Sequence, residues 1–385
     1  MSEDKIPHTA FDEPQLDGMR AIMALWVFAW HAAVMAGFFT RLIPGGGTAV
    51  SVFMLLSGLL MTRNFAARED KEPLKAWSTI RMFWIRRFFR IAPLYFPVLA
   101  ISLYLSSRYQ YDIENLNSVF PPPWSGSIID PSQHDLTWQN ITAHFTFLHG
   151  LFPQYAENNI VPDWSLSLEM QFYFVLPFLL LLARRYGFTI IAIASTVIVF
   201  ASSKYFLHVW PQPSLLPFRM NCFLAGILLG TYHEKRDIET LVLFLAISFY
   251  GQQTLFSAFA LITFLTMYPP KIGLLGSIGV TIRKALSTPT MRFFGDISYS
   301  IYILHMMVLY PVFWLLTRDH GAYLGFNPAL RFAILLSSTA VVLIPISYAA
   351  YRMIEVPGIS LGRRLAKSRK ILKYAIATTI SSHTT

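Results

Sequence analysis

Apolar runs in this chain outlast anything a soluble helix buries. Over 21–40, 297–317 and 332–351 no Asp, Glu, Lys or Arg interrupts the sequence. About 20 such residues at 1.5 Å each span a hydrocarbon layer of ~30 Å, whereas an apolar stretch inside a soluble core stops at about 14. Only 14% of the 385 residues are charged and 54% are hydrophobic, against about 25% charged in a soluble domain. A water-soluble fold is excluded, and the reading is an all-α polytopic membrane protein.

Apolar runs bounded by charge, Pro and Gly predict ten spans, at 19–39, 48–65, 91–107, 164–183, 188–206, 215–233, 241–253, 255–268, 293–316 and 328–354. The seventh and eighth are short, and 241–268 could instead form one tilted helix. Charge decides. The 63–90 segment holds eight Lys and Arg and the tail from Arg352 holds seven, while alternate loops carry only Arg41, Arg108, Lys204, none and Arg318. Ten spans with both termini in the cytoplasm keep basic residues inside throughout. Merging the seventh and eighth would put Lys271, Arg283, Lys284 and Arg292 outside. The net charge of +10 is therefore read as topology, not as a nucleic-acid surface.

The chain divides into a cytoplasmic segment 1–18, a membrane domain 19–354 and a basic cytoplasmic tail 355–385. Nothing at the N-terminus reads as a cleaved signal. The 108–163 segment, acidic and with a Pro122–Pro123–Trp124 cluster, is placed outside as a lid. Within 63–90, the run from Arg81 to Arg90 mixes aromatics and cations as an interfacial helix does. Cys222 is the single cysteine, so no intrachain disulfide is expected. His134, His144, His149 and His320 have no metal-ligand spacing, and no metal site is expected.

Ionisable residues inside spans are costly and mark function by default. Arg20 and His31 are eleven residues apart, close to three turns, so both project from one face about 16 Å apart. Glu169 lies about two turns into the fourth span with Ser165 four residues before it on the same face. It is either a reacting carboxylate or a partner for an Arg or His elsewhere. In the ninth span Ser298, Tyr302 and His305 follow one stripe, Tyr299 beside them, where interhelical glue competes with a site. Ser57-Gly58 reads first as a close helix contact. Arg86, Arg87 and Arg90 at the cytoplasmic mouth of the third span either anchor it or bind a phosphate-rich ligand such as coenzyme A.

Leu16-Asp17-Gly18-Met19-Arg20-Ala21 followed by His31, then Ser57-Gly58-Leu59, Arg87-Phe-Phe-Arg90-Ile91-Ala-Pro93, Trp164-Ser165-Leu-Ser167-Leu-Glu169, Gly295-Asp296-Ile-Ser298-Tyr299-Ser300-Ile-Tyr302-Ile-Leu-His305 and Glu355 with Pro357 resemble the acyltransferase-3 family of integral-membrane O-acyltransferases. The resemblance runs from about Leu16 to Arg364. It implies a ten-helix enzyme of a bacterial plasma membrane that takes an acyl group, most often acetyl, from cytoplasmic acyl-CoA and passes it to a hydroxyl of an envelope polysaccharide or glycan. It maps Arg20, His31 and Glu169 onto the family's catalytic positions and Arg87 and Arg90 onto its third-span arginines; Ser57, Ser165, Tyr299 and His305 are candidates either to touch substrate or to support the residues that do. Met19 and Met54-Leu55 depart from the usual pattern by apolar exchange. A fused esterase-like domain, present in some relatives, is not expected in the residues after Arg364.

The chemistry agrees. A hydroxyl attacking a thioester needs a base near neutral pH, which His31 supplies, and a donor rich in phosphate needs guanidinium forks. Direct transfer with His31 as base is preferred to an acyl-histidine. The rival is a proton-coupled transporter, since midplane His, Glu and Arg also build relays. The absence of an apparent internal repeat counts against it.

Overall fold

The computed structural model describes residues 13–40, 43–105, 137–250, 253–318 and 322–367. The N-terminal 1–12, most of the acidic outer segment including Pro122, Pro123, Trp124 and His134, His320, and the tail from 368 lie outside the described residues. Among the described ones all regular structure is helical. In chain order the helices are α1 Pro14–Met35, α2 Gly46–Ala66, α3 Trp77–Tyr104, α4 Trp138–Phe145, α5 Trp164–Tyr186, α6 Phe188–Tyr205 and α7 Leu216–Lys235. They continue with α8 Ile238–Phe249, α9 Thr254–Met267, α10 Leu274–Leu286, α11 Pro289–Asp296, α12 Ser298–Thr317 and α13 Pro328–Ala350.

Among the described residues six stretches are long and apolar enough to cross a membrane: α1, α2, α5, α6, α12 and the run Pro328–Lys367 that α13 begins. Two further apolar helices, α8 and α9, are shorter, and 241–268 is thus two helices. On α6, Ile193, Val197 and Phe200 are exposed at 61%, 61% and 66%, a face that suits lipid and would be a liability in water.

Helix contact in lipid depends on close backbone approach rather than on hydrophobic drive. The tightest case is α2 on α7. A Cβ on Gly58 would lie 2.2 Å from the Phe223 carbonyl oxygen, and one on Gly226 would lie 1.9 Å from that of Leu55. The packing reading of Gly58 is therefore right, and it leaves Ser57 free to face elsewhere.

Four segments differ from expectation. Residues 81–90 are not a separate interfacial helix but the first half of α3, which runs on through Pro93 and Pro97. The 293–316 span is broken at Ile297, where Gly295 is seated on the Asp17 carbonyl, 2.4 Å from where a Cβ would be, and the Gly295 carbonyl accepts from a capping backbone N–H and from Ser298 Oγ at 2.7 Å. The basic loop after 268 contains α10, whose last turn holds Arg283 and Lys284 where the helix dipole favours cations. The described part of the tail is ordered as helix: a π-turn, Tyr351–Glu355, leads into helix over 356–367. This C-terminal helix lies on α3, with Gly358 against Pro93 and Gly362 against Phe89.

Candidate active site

A cavity of about 500 Å³ opens between α2, α3, α5, α12 and the C-terminal helix, within the range of sites that enclose an extended small molecule. Among the described residues seven cations and four carboxylates face it, so this wall is net positive. The cations gather at one end. There α3 presents Arg86, Arg87 and Arg90, α1 presents Arg20, the turn after α2 presents Arg68, and the C-terminal helix presents Arg363 and Lys367.

Most of these guanidiniums are engaged. Arg86 makes two parallel bonds to Glu72, of 2.8 and 3.2 Å. Arg90 pairs with buried Glu355, which also accepts from Ser300 Oγ, and Arg20 lies 3.9 Å from Asp17. Arg87 differs. Its guanidinium rests on the rings of Phe83 and Tyr173, at 5.9 and 5.8 Å, and its buried Nε has no hydrogen-bond partner among the described residues. Aromatic faces position an arginine without using up its donors, although Tyr173 also shares a side-chain hydrogen bond with this guanidinium. At Arg68, burial and then the neighbouring Arg86 push the guanidinium below its ordinary pKa, a crowding of like charge that a bound anion relieves.

The inner end is hydroxylic. Glu169 accepts from Ser57 Oγ at 3.0 Å and from the Tyr173 hydroxyl. One turn earlier Ser165 lies 2.7 Å from the Tyr302 hydroxyl, which itself donates to the Pro162 carbonyl at 3.1 Å. Tyr299 donates to the Ile91 carbonyl at 2.9 Å and lies under Arg90. Among the described residues no Arg or His pairs with Glu169; its partners are a serine and a tyrosine.

His31 and His305 are not among the residues facing the cavity. They form a pair beside it, with His305 Nε2 3.2 Å from His31 Nδ1 and the Tyr302 ring 6.0 Å from that of His305. His305 Nδ1 lies 2.7 Å from the Tyr302 carbonyl and His31 Nδ1 lies 2.9 Å from that of Val27. A carbonyl only accepts, so each Nδ1 carries the proton. His31 N–H is then shared between Val27 and His305 Nε2, and its lone pair is on Nε2. That is the tautomer of an oriented base, with a second imidazole in the place where hydrolases put a carboxylate. The shared face of Arg20 and His31 does not become one open pocket, since the cavity takes Arg20 and stops at Tyr302.

Spacing missed the C-terminal helix. Val356, Ile359, Arg363 and Lys367 all face the cavity, and their intervals of three and four residues are the helical signal that a basic tail concealed. Arg68 and Glu72 were passed over inside a loop. Spacing also gave no metal ligands, yet the fold gathers His144, His149 and Asp163.

The sequence matches the profile described as "Acyltransferase domain" over residues 13–348. The chain belongs to this acyltransferase family. A Staphylococcus aureus protein named "Putative O-acetyltransferase" is 24% identical over 386 aligned positions, covering 89% of this chain and 57% of its own length. The Listeria monocytogenes peptidoglycan O-acetyltransferase is 26% identical over 174 positions, 45% of this chain and 25% of its own. An acyltransferase of Streptomyces mycarofaciens is 25% identical over 336 positions, 77% of this chain and 79% of its own. The chain thus spans little more than half the length of the staphylococcal relative. No solved structure matches it.

Proposed function

We propose that the protein moves an acyl group, acetyl in the first instance, from cytoplasmic acyl-CoA to a hydroxyl of a cell-envelope glycan. The observation that carries this reading is one cavity with unlike ends: arginines at its mouth, with the Arg87 fork held on ring faces, and Ser57, Ser165, Glu169 and Tyr302 at its floor beside a histidine pair. In this reading the chain crosses a bacterial plasma membrane ten times with both termini in the cytoplasm, an orientation that the alternation of basic loops supports. The name of the Listeria relative supports a glycan hydroxyl as acceptor.

The coenzyme phosphates lie on Arg87 with Arg68 and Lys367, and the thioester reaches the Ser165–Tyr302 end. The acceptor hydroxyl comes to His31 from the outer side. Its proton passes to His31 Nε2 as its oxygen bonds to the acyl carbon; the C–S bond breaks, and the proton goes to the departing thiolate. Tyr302 has to leave the line between thioester and imidazole for this to occur. Glu169 keeps Ser57 and Tyr173 oriented on the cavity floor and takes no proton from His31.

Purified protein in nanodiscs, given acetyl-CoA and envelope glycan, should release thiol and esterify the glycan. Absence of thioester consumption with and without glycan overturns the proposal and favours a transporter. Mass spectrometry of envelope glycans from a deletion strain then identifies the acceptor by its lost acyl mass.

A further inference from the structure

Outside the cavity, the outer segment closes on a second cluster of reactive side chains. His144 lies in the last turn of α4, His149 opens the 3-10 turn that follows, and Asp163 immediately precedes α5. Their exposures are 1%, 0% and 1%. One ligand-type atom from each lies within 4.8 Å of the others, and the two imidazoles stack with centroids 4.3 Å apart and planes 5° from parallel. Metal–nitrogen bonds of about 2.0–2.1 Å hold ligand atoms roughly 3.3 Å apart in a tetrahedral site. The cluster has to contract by up to about 1.5 Å, and the parallel rings have to turn out of their stack so that both in-plane lone pairs meet at one ion, to match that geometry.

Polar pairing inside the cluster is incomplete in a way that a cation completes. His144 Nδ1 donates to the Asn140 carbonyl at 3.0 Å, which leaves the lone pair on Nε2. That Nε2 is buried without a hydrogen-bond partner and lies 3.6 Å from Asp163 Oδ2. A lone pair facing a carboxylate oxygen in a dry interior repels it unless a proton on Nε2 or a bound cation sits between them. A ring N–H on a backbone carbonyl with the other nitrogen turned inward is also how proteins present histidine to metals. The carboxylate is supported from behind: the Tyr95 hydroxyl and Asn159 Nδ2 donate to Oδ2 at 2.8 and 3.2 Å. Oδ1 faces His149, whose Nε2 is 3.8 Å away. His149 Nε2 lies 3.1 Å from the Asp163 carbonyl and the same ring also bonds the Ala143 carbonyl, so an ion at this imidazole has to displace one of the two backbone contacts.

We propose that His144, His149 and Asp163 bind one divalent transition-metal ion of the zinc class, fixing the outer segment to the start of α5. Two imidazoles and a carboxylate suit zinc and its neighbours and not magnesium or calcium, which take oxygen ligands. The ion is structural. None of its three ligands is among the residues facing the cavity, and it reaches the cavity through α5, which carries Ser165 and Glu169, and through Pro162, whose carbonyl accepts from Tyr302. The proposal stands apart from the acyltransferase reading and has its own readout.

The test uses the full chain purified in detergent without metal-affinity resin. Inductively coupled plasma mass spectrometry should find about one zinc per chain, and zinc returned to chelator-treated protein should raise its unfolding temperature. X-ray absorption at the zinc edge should show two imidazole ligands. His144→Ala and Asp163→Asn should lose the metal, while His208→Ala, at an exposed imidazole elsewhere, should keep it. Substoichiometric metal together with no response of the wild-type chain to added zinc overturns the site. So does metal that persists in both cluster variants, or an absorption spectrum without imidazole, and these wild-type readouts decide the matter even if a variant fails to fold.

Discussion

The two ends of the cavity position their groups by different means. At the arginine end, side chains hold side chains: Arg86 on Glu72, Arg90 on Glu355, Arg87 on two rings. Such contacts re-form after modest change, and they suit a task that needs charge within a few ångströms. At the histidine end the partners are helix carbonyls, Val27 for His31 and Tyr302 for His305, which no substitution elsewhere removes. Binding tolerates looseness and proton transfer does not, and the molecule distributes its contacts accordingly.

The largest effect that can break this comparison is at His31. His31→Ala should lower kcat by about 10²–10⁴-fold, the usual worth of a positioned base, and leave the KM for acetyl-CoA within about twofold. Thiol release by purified variant measures both. A KM change without a kcat change would move His31 into the binding end and erase the distinction. Arg87→Ala should do the reverse, raising KM by about 10–100-fold for the loss of one charge-assisted contact of about 1.5–3 kcal/mol, with kcat kept. Arg90 is a poorer probe: its removal strands a Glu355 side chain that is 0% exposed, and an uncompensated buried charge costs about 3–5 kcal/mol of stability.

Tyr302→Phe probes the boundary between the ends. It keeps the ring beside His305 and removes the hydroxyl that ties Ser165 to the Pro162 carbonyl. Loss of a bond worth about 0.5–1.5 kcal/mol should raise thioester hydrolysis without acceptor by about threefold to tenfold. An unchanged hydrolysis rate, read against wild type in the same nanodiscs, would mean that Tyr302 does not separate thioester from base.

The helices and their polar residues were legible because lipid makes both expensive. A run free of charge can hardly be anything but a span, and a His, Glu or Arg inside one has to be accounted for. His31 and Glu169 stand out in that way, and Arg86, Arg87 and Arg90 as a cluster at the mouth of a span. What spacing could not supply was partnership across helices. That Ser57 belongs to Glu169 and His31 to His305 depends on Gly58 and Gly226 bringing α2 onto α7, and on the break at Ile297 re-aiming α12. The C-terminal helix was hidden for another reason: beyond Glu355 its charges look like a solvated tail, and only Gly358 and Gly362, four residues apart on the face toward α3, mark it as packed. His144, His149 and Asp163 are separated by five and fourteen positions, and only the turn between α4 and α5 brings them together.

The smallest effect sharpens the comparison most. Lys367 faces the cavity from the last described turn of the C-terminal helix but is exposed. An exposed cation acts on an anion through solvent, for about 0–1 kcal/mol, and is screened within about 8 Å at physiological salt. Lys367→Ala should therefore raise the KM for acetyl-CoA only about twofold at low salt and not at all in about 1 M salt. The Arg87→Ala defect should persist there, because its fork is half-buried and meets phosphate by direct hydrogen bonds. KM measured for both variants across an ionic-strength series separates a graded mouth from a single anion clamp. Parallel salt curves would show that one field serves the whole basic end, and that the Arg87 fork adds nothing beyond its charge.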